Sequence, residues 1–185
     1  MLGEVGLGTL ALKCPNLVAL SAGAIHASIS SKAMTEVGRC HTLRVLDLSD
    51  SPWMTDDCLE QLMQRGFPRM VSFSLAGCTE LSEDGGRFFG EERRPSGIFR
   101  TATPRLPRLQ FLDISGCVGF GHGTATDVVS GCPAIRALDA SGTSIATDPS
   151  MDPFSEAKDL RFLRLSGSAR ISDAGIARLC GASAL

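Results

Sequence analysis

Apolar residues recur along this chain in a fixed phrase. In Leu109-Gln110-Phe111-Leu112-Asp113-Ile114-Ser115-Gly116-Cys117 they stand at relative positions 0, 3 and 5, with a cysteine at position 8. Position 0 also falls at Leu17, Leu43, Met70, Ile135 and Leu160, so six copies begin 26, 27, 39, 26 and 25 residues apart. Leu185 lies another 25 residues on and opens an expected seventh copy. Position 3 reads Leu20, Leu46, Phe73, Leu112, Leu138 and Leu163; position 5 reads Ala22, Leu48, Leu75, Ile114, Ala140 and Leu165. The alternation over positions 3 to 5 predicts one short strand per copy, and no single copy can bury its inward face alone. Stacked copies therefore make the core, which is the logic of a solenoid.

Each strand is followed by a turn and a helix-like segment. In Ser49-Asp50-Ser51-Pro52-Trp53-Met54-Thr55-Asp56-Asp57 the proline marks the turn, and Thr55 or Asp56 is placed to cap a helix carrying Leu59, Leu62 and Met63. Leu81-Ser82-Glu83 and Ile171-Ser172-Asp173 hold equivalent places, the second followed by Ile176, Leu179 and Cys180 at helical spacing. Two copies deviate. The third carries Gly85-Gly86 in its helix and an excess of about 13 residues, read as a flexible loop inserted over 90–107, with Arg93, Arg94, Arg100 and Arg105 among its prolines. The fifth carries Pro149 and Pro153, which predicts an irregular outer side with at most a short helix from Asp152-Pro153. Val5 to Pro15 reads as the helical half of a repeat, and neither end shows a capping unit. Residues 1–185 are thus expected to be a single domain cut from a longer solenoid.

Composition narrows the class. A 43% hydrophobic, 21% charged chain is that of a folded domain, and a net charge of -2 gives no overall field toward nucleic acid or an anionic membrane. Neither a signal peptide nor a membrane-length apolar run is visible, so a cytoplasmic or nuclear protein is expected. The seven cysteines form no disulfide framework and no Cys-x-x-Cys pair. They sort into repeat columns instead. Cys78 and Cys117 sit at position 8, where a small group can bond the turning backbone; Cys14, Cys40 and Cys132 close helices three residues before the next position 0.

Catalytic chemistry finds little support in these residues. His26, His41 and His122 fall at unrelated repeat positions, and the adjacent Cys40-His41 uses a cysteine from a structural column. Gly119, Gly121 and Gly123 lie in a turn without the strand-to-helix context of a phosphate fingerprint. No enzyme, metal site or cofactor is expected.

The combination of Leu-x-x-Leu-x-Leu-x-x-Cys (Leu109 to Cys117, echoed by Met70 to Cys78), an Ile-Ser-Asp turn at 171–173 and a closing Gly131-Cys132-Pro133 resembles the cysteine-containing leucine-rich repeats of F-box/leucine-rich-repeat proteins. That resemblance covers nearly the whole chain. It implies an α/β leucine-rich-repeat solenoid of about six repeats, horseshoe-like, with a parallel concave sheet and helices on the convex side. It further implies substrate recognition for a Skp-cullin-F-box ubiquitin ligase, with Skp and cullin subunits reached through an F-box that this sequence does not contain. The alternative is a scaffold or sensor repeat domain that binds another protein without any ubiquitin link.

Because side chains alternate along a strand, positions 2, 4 and 6 are expected to face out of the concave sheet. Position 2 is Ala19, Val45, Ser72, Phe111, Ala137 and Phe162; position 4 is Ser21, Asp47, Ser74, Asp113, Asp139 and Arg164. Position 6 is small throughout. Val45, Phe111 and Phe162 are apolar anchors of the kind interfaces use, while Asp47, Asp113 and Asp139 make a mildly acidic strip ending at Arg164. Those seven residues are the candidate partner-binding set for a target protein on the concave face, and the acidic strip would suit a basic or amphipathic segment.

Overall fold

The computed structural model describes residues 4–90, 92–93, 102–167 and 170–181. Each copy of the apolar phrase folds as a three-residue strand. These are β1 (Ala19–Ser21), β2 (Val45–Asp47), β3 (Ser72–Ser74), then, after two short strands of the insert, β4 (Glu92–Arg93) and β5 (Ala102–Thr103), the further copies β6 (Phe111–Asp113), β7 (Ala137–Asp139) and β8 (Phe162–Arg164). The six repeat strands form one parallel sheet in the order β1-β2-β3-β6-β7-β8. Register is the one the phrase demands, with Leu20, Leu46, Phe73, Leu112, Leu138 and Leu163 paired in sequence across the sheet.

Among the described residues seven helices lie on the other side: α1 (Glu4–Lys13), α2 (Ser31–Val37), α3 (Asp56–Met63), α4 (Glu83–Gly86), α5 (His122–Gly131), α6 (Met151–Glu156) and α7 (Asp173–Leu179). Each packs on the next along the stack. Between helices and sheet, the position 0, 3 and 5 side chains of repeats two to five are at most 3% exposed. Burying each large aliphatic there is worth about 1.5–3 kcal/mol, and this is what holds strands of only three residues. In the sixth repeat Leu160, Leu163 and Leu165 are only partly buried, since no described strand follows to cover them.

The turn after each strand has one conformation. Position 7 lies in the left-handed region in all six copies: Ala24 (φ 53°), Asp50 (φ 52°), Gly77 (φ 71°), Gly116 (φ 73°), Gly142 (φ 69°) and Gly167 (φ 81°). Glycine fills four of these because a Cβ there meets the carbonyl. The turning backbone then continues the ladder, Gly77 N–H donating to Ser115 O and Gly116 N–H to Ser141 O at 2.7 and 2.8 Å.

Helix starts follow their caps. The Thr55 hydroxyl accepts from Cys58 N–H at 3.4 Å, Ser82 from Asp84 N–H at 3.2 Å, and Ser172 from Ala174 N–H at 3.2 Å. A further device ties neighbouring repeats at these ends. Asp56 accepts from Ser82 N–H (2.9 Å) and hydroxyl (2.5 Å), and Asp148 accepts from Ser172 N–H (2.8 Å) and hydroxyl (2.6 Å). Glycine at Gly175 makes room for it, since a Cβ there would run into the Asp148 carboxylate.

The segment inserted over 90–107 carries local structure at its stems. β4 and β5 pair antiparallel, Leu106 is fully buried, and the Arg105 guanidinium donates to Met63 O at 2.9 Å. Residues 94–101, with Arg94 and Arg100, lie outside the described set, as does Leu185. The chain around Pro149 forms one 3-10 turn (Asp148–Ser150) leading directly into α6, one residue ahead of the expected start. The third repeat replaces most of its helix by a 3-10 turn at Arg87–Phe89, which sends Phe89 into the core between Phe73 and Phe120 at ring distances of 6.2 and 6.0 Å.

Candidate protein-binding face

The parallel ladder fixes which residues line the concave surface. Phe111, Ala137 and Phe162 are paired in register on three successive strands, so the two rings stand on either side of a methyl group. Two strand spacings separate them, about 9.6 Å. Both phenylalanines are half exposed, at 49% and 50%, and Val45 is 41% exposed on the same column. Together with Asp113 and Asp139 the rings border a shallow recess of about 290 Å³. An apolar floor between aromatic walls, with carboxylates at one side, suits a single large side chain or a short segment of a partner.

The position 4 carboxylates do two jobs. Asp47, Asp113 and Asp139 each accept from the backbone N–H two residues on, at Ser49, Ser115 and Ser141 (3.1, 3.0 and 3.0 Å), which holds the strand exit. The Ser49 and Ser115 hydroxyls add a second bond at 2.7 Å. Asp47 also accepts from the Ser21 hydroxyl at 2.8 Å. Burial alone would raise its pKa, but the bonds from Ser49 and Ser21 outweigh it and hold the carboxyl below its ordinary value.

Arg164 changes the electrostatics of the strip. Its guanidinium donates to Asp139 at 3.1 Å and lies 5.4 Å over the Phe162 ring. Asp139 is thereby answered within the sheet, while Asp113 Oδ2 has no partner among the described residues. The strip is less acidic than its residue count implies, because one of its three charges is neutralised by its own neighbour. All seven candidate residues lie on this concave sheet. Phe111, Asp113, Asp139, Phe162 and Arg164 come together on its last three strands; Val45 and Asp47 stand two strands away from Phe111 and Asp113.

The cysteines are structural in their surroundings. Cys78 donates its thiol to Leu48 O at 3.3 Å and Cys117 to Leu75 O at 3.0 Å, each bonding the position 5 carbonyl of the preceding repeat. Burial pushes the Cys78 thiol up to about 11, and those of Cys117 and Cys132 to about 12. Cys40 is buried against Ala11 O and its thiol too is raised, chiefly by burial. Cys14, expected to fill the equivalent corner, is exposed instead: no described repeat stacks before it. His122 Nδ1 meets the Ser150 hydroxyl at 3.0 Å, but that serine is fully buried. No group of three or more potential metal ligands occurs among the described residues, and none of their helices is long and apolar enough to cross a membrane.

These features define the class: the chain is an α/β leucine-rich-repeat solenoid with an open parallel sheet on its concave side. No family model and no curated protein matches its sequence. Among solved structures it is similar to a chain in the crystal structure of the Rad7 and Elc1 complex in yeast, at a TM-score of 0.67 and 15% identity. The match covers 97% of this chain and 50% of that one, so the chain spans about half the length of its structural neighbour. At that identity the likeness is one of fold.

Sequence reasoning picked out the outward columns but missed two features. One is the notch made by Ala137 between the phenylalanines, visible only when the three strands are aligned in register. The other is a row of arginines at the strand entrances, outside columns 2, 4 and 6, which the structure places on the surface.

Proposed function

We propose that this chain is a protein-recognition module that holds a target protein on its concave sheet, and that it serves as the substrate-recognition part of a Skp-cullin-F-box type ubiquitin ligase. The observation that carries the first half is the exposed Phe111–Ala137–Phe162 notch. Large rings half exposed on a rigid sheet cost little entropy to organise and desolvate readily against a partner. The cysteine-containing repeat pattern supports the second half, as does a fold shared with a chain solved together with a partner protein. In this reading the module acts non-covalently, in the cytoplasm or nucleus, and other subunits do the chemistry.

The test is purification of the endogenous protein from its native cells with identification of its companions by mass spectrometry. A Skp adaptor and a cullin among them support the ligase role. Their absence, with another stable companion on the concave face, leaves a repeat scaffold and removes the ubiquitin link.

A further inference from the structure

A second surface borders the sheet where the strands begin. Over positions -2 to 1 of the six copies the chain places five arginines, Arg44, Arg69, Arg108, Arg136 and Arg161, with Lys158 and His41, against the single acid Asp159. The backbone there is part of the ladder. Arg44 O accepts from Val71 and Ser72 N–H at 2.8 and 2.9 Å, Gln110 O from Arg136 and Ala137 N–H at 2.9 and 2.8 Å, and Arg136 O from Arg161 and Phe162 N–H at 2.8 and 2.9 Å. The ladder fixes the spacing of these backbone positions, so the charges share one edge of the sheet.

All five arginines are exposed. Arg44, Arg69, Arg108 and Arg136 form no ion pair with any described carboxylate, whereas Arg39, Arg87, Arg164 and Arg178 each do. Three of the free ones, Arg44, Arg69 and Arg108, converge with Gln110 on a recess of about 630 Å³ whose floor includes Val71 and Ala134. That volume exceeds what one phosphate fills, and the row runs over four repeat spacings, about 19 Å, which an extended chain of about six residues spans. In a chain whose net charge is -2, such a concentration of unanswered positive charge marks one edge of the sheet.

We propose that this rim binds an extended acidic segment of a partner protein, a run of Asp and Glu laid across the strand entrances. Guanidinium forks take carboxylates in pairs, Gln110 offers an amide to the segment's backbone, and the recess floor receives its methylenes. The sheet then carries opposite preferences at its two edges, arginine at the entrances and Asp47 and Asp113 at the exits, which fixes the direction in which a partner lies. This deepens the protein-recognition reading by specifying the partner's charge, and it rests on that reading.

The experiment uses the full chain and a fluorescein-labelled octaglutamate peptide, followed by anisotropy. Saturable binding is expected that weakens about tenfold or more in the Arg69→Glu/Arg108→Glu variant and falls steeply when salt is raised from about 50 to about 200 mM. Arg44→Ser/Arg136→Ser provides a milder second variant, and the circular dichroism of both is checked against the parent. An octathymidylate should bind more weakly than octaglutamate. No binding of octaglutamate, equal binding by both arginine variants, or tighter binding of the oligonucleotide overturns the proposal. Phe111→Ala/Phe162→Ala separates the two readings. If that pair abolishes capture of the cellular partner while the arginine variants retain it, the rim proposal alone has failed.

Discussion

Replacing Leu112 by alanine tests the register on which every surface assignment depends. Leu112 is 2% exposed and is clamped between Phe73 and Leu138 by the backbone pairing of β3, β6 and β7. The substitution removes three carbons, about 2.4 kcal/mol of transfer free energy at about 0.8 kcal/mol each. The neighbours are held by the ladder and cannot fully close the gap, so the cavity raises the loss to about 3–4 kcal/mol. Its sequence neighbour Phe111 is 49% exposed, and Phe111→Ala should cost no more than about 1 kcal/mol. Urea unfolding followed by circular dichroism and by the fluorescence of Trp53, the only tryptophan, reads both ends of this comparison. Because Trp53 sits in the second repeat and Leu112 in the fourth, a shift common to both probes also shows that the stack unfolds together. Equal losses from the two variants, or a larger loss from Phe111→Ala, would mean that the strand is slipped by one residue and that its two faces are exchanged.

The turn, the thiols and the carboxylates can each be perturbed singly. Gly116→Ala forces a Cβ into the left-handed region and should destabilise by about 1–2 kcal/mol, whereas Ala24→Gly should be neutral or stabilising; thermal denaturation of the pair checks this. In the native protein a disulfide exchange reagent should titrate Cys14 and Cys180 quickly and the five buried thiols only on unfolding. Folded pKa values raised to about 11 and 12 for Cys78, Cys117 and Cys132 keep these thiols protonated while the unfolded chain ionises. Their stabilisation is therefore full below about pH 9 and lost as pH rises toward 12, and Cys132→Ala should flatten that alkaline decline. Asp47 and Asp148 have folded pKa values below the ordinary 3.8, so their contribution is present above that pH and lost as pH falls through the lowered values; Asp47→Asn should blunt the acid limb of the stability profile.

Much of this architecture is legible in the chain because a repeat states its own register six times. The inward leucines at 0, 3 and 5 announce the strand, and the caps at Thr55, Ser82 and Ser172 announce the helices, since each is a local rule. What a single copy cannot display is the relation between copies. The carboxylates Asp56 and Asp148 look like ordinary first-turn acids; their partners, Ser82 and Ser172, lie 26 and 24 residues away, and the stack alone brings them together. Gly85 likewise reads as a helix weakness, yet it is where the Asp56 carboxylate of the preceding repeat needs space. The neutralisation of Asp139 by Arg164 is another relation between copies, across 25 residues. The arginine rim lies outside the columns 2, 4 and 6: the strands begin at position 2, and the arginines at positions -1 and 1 precede them on the surface.

Whether the concave sheet holds a partner protein through the Phe111–Ala137–Phe162 notch is decided by quantitative co-purification from native cells. Wild type, Phe111→Ala/Phe162→Ala and a convex-side control, Arg87→Ala, are compared at equal expression. The phenylalanine pair is expected to lose the main companion while the control keeps it, with both variants retaining wild-type circular dichroism. Companions retained in full by the phenylalanine pair, or lost equally from the convex control, would contradict this role of the notch.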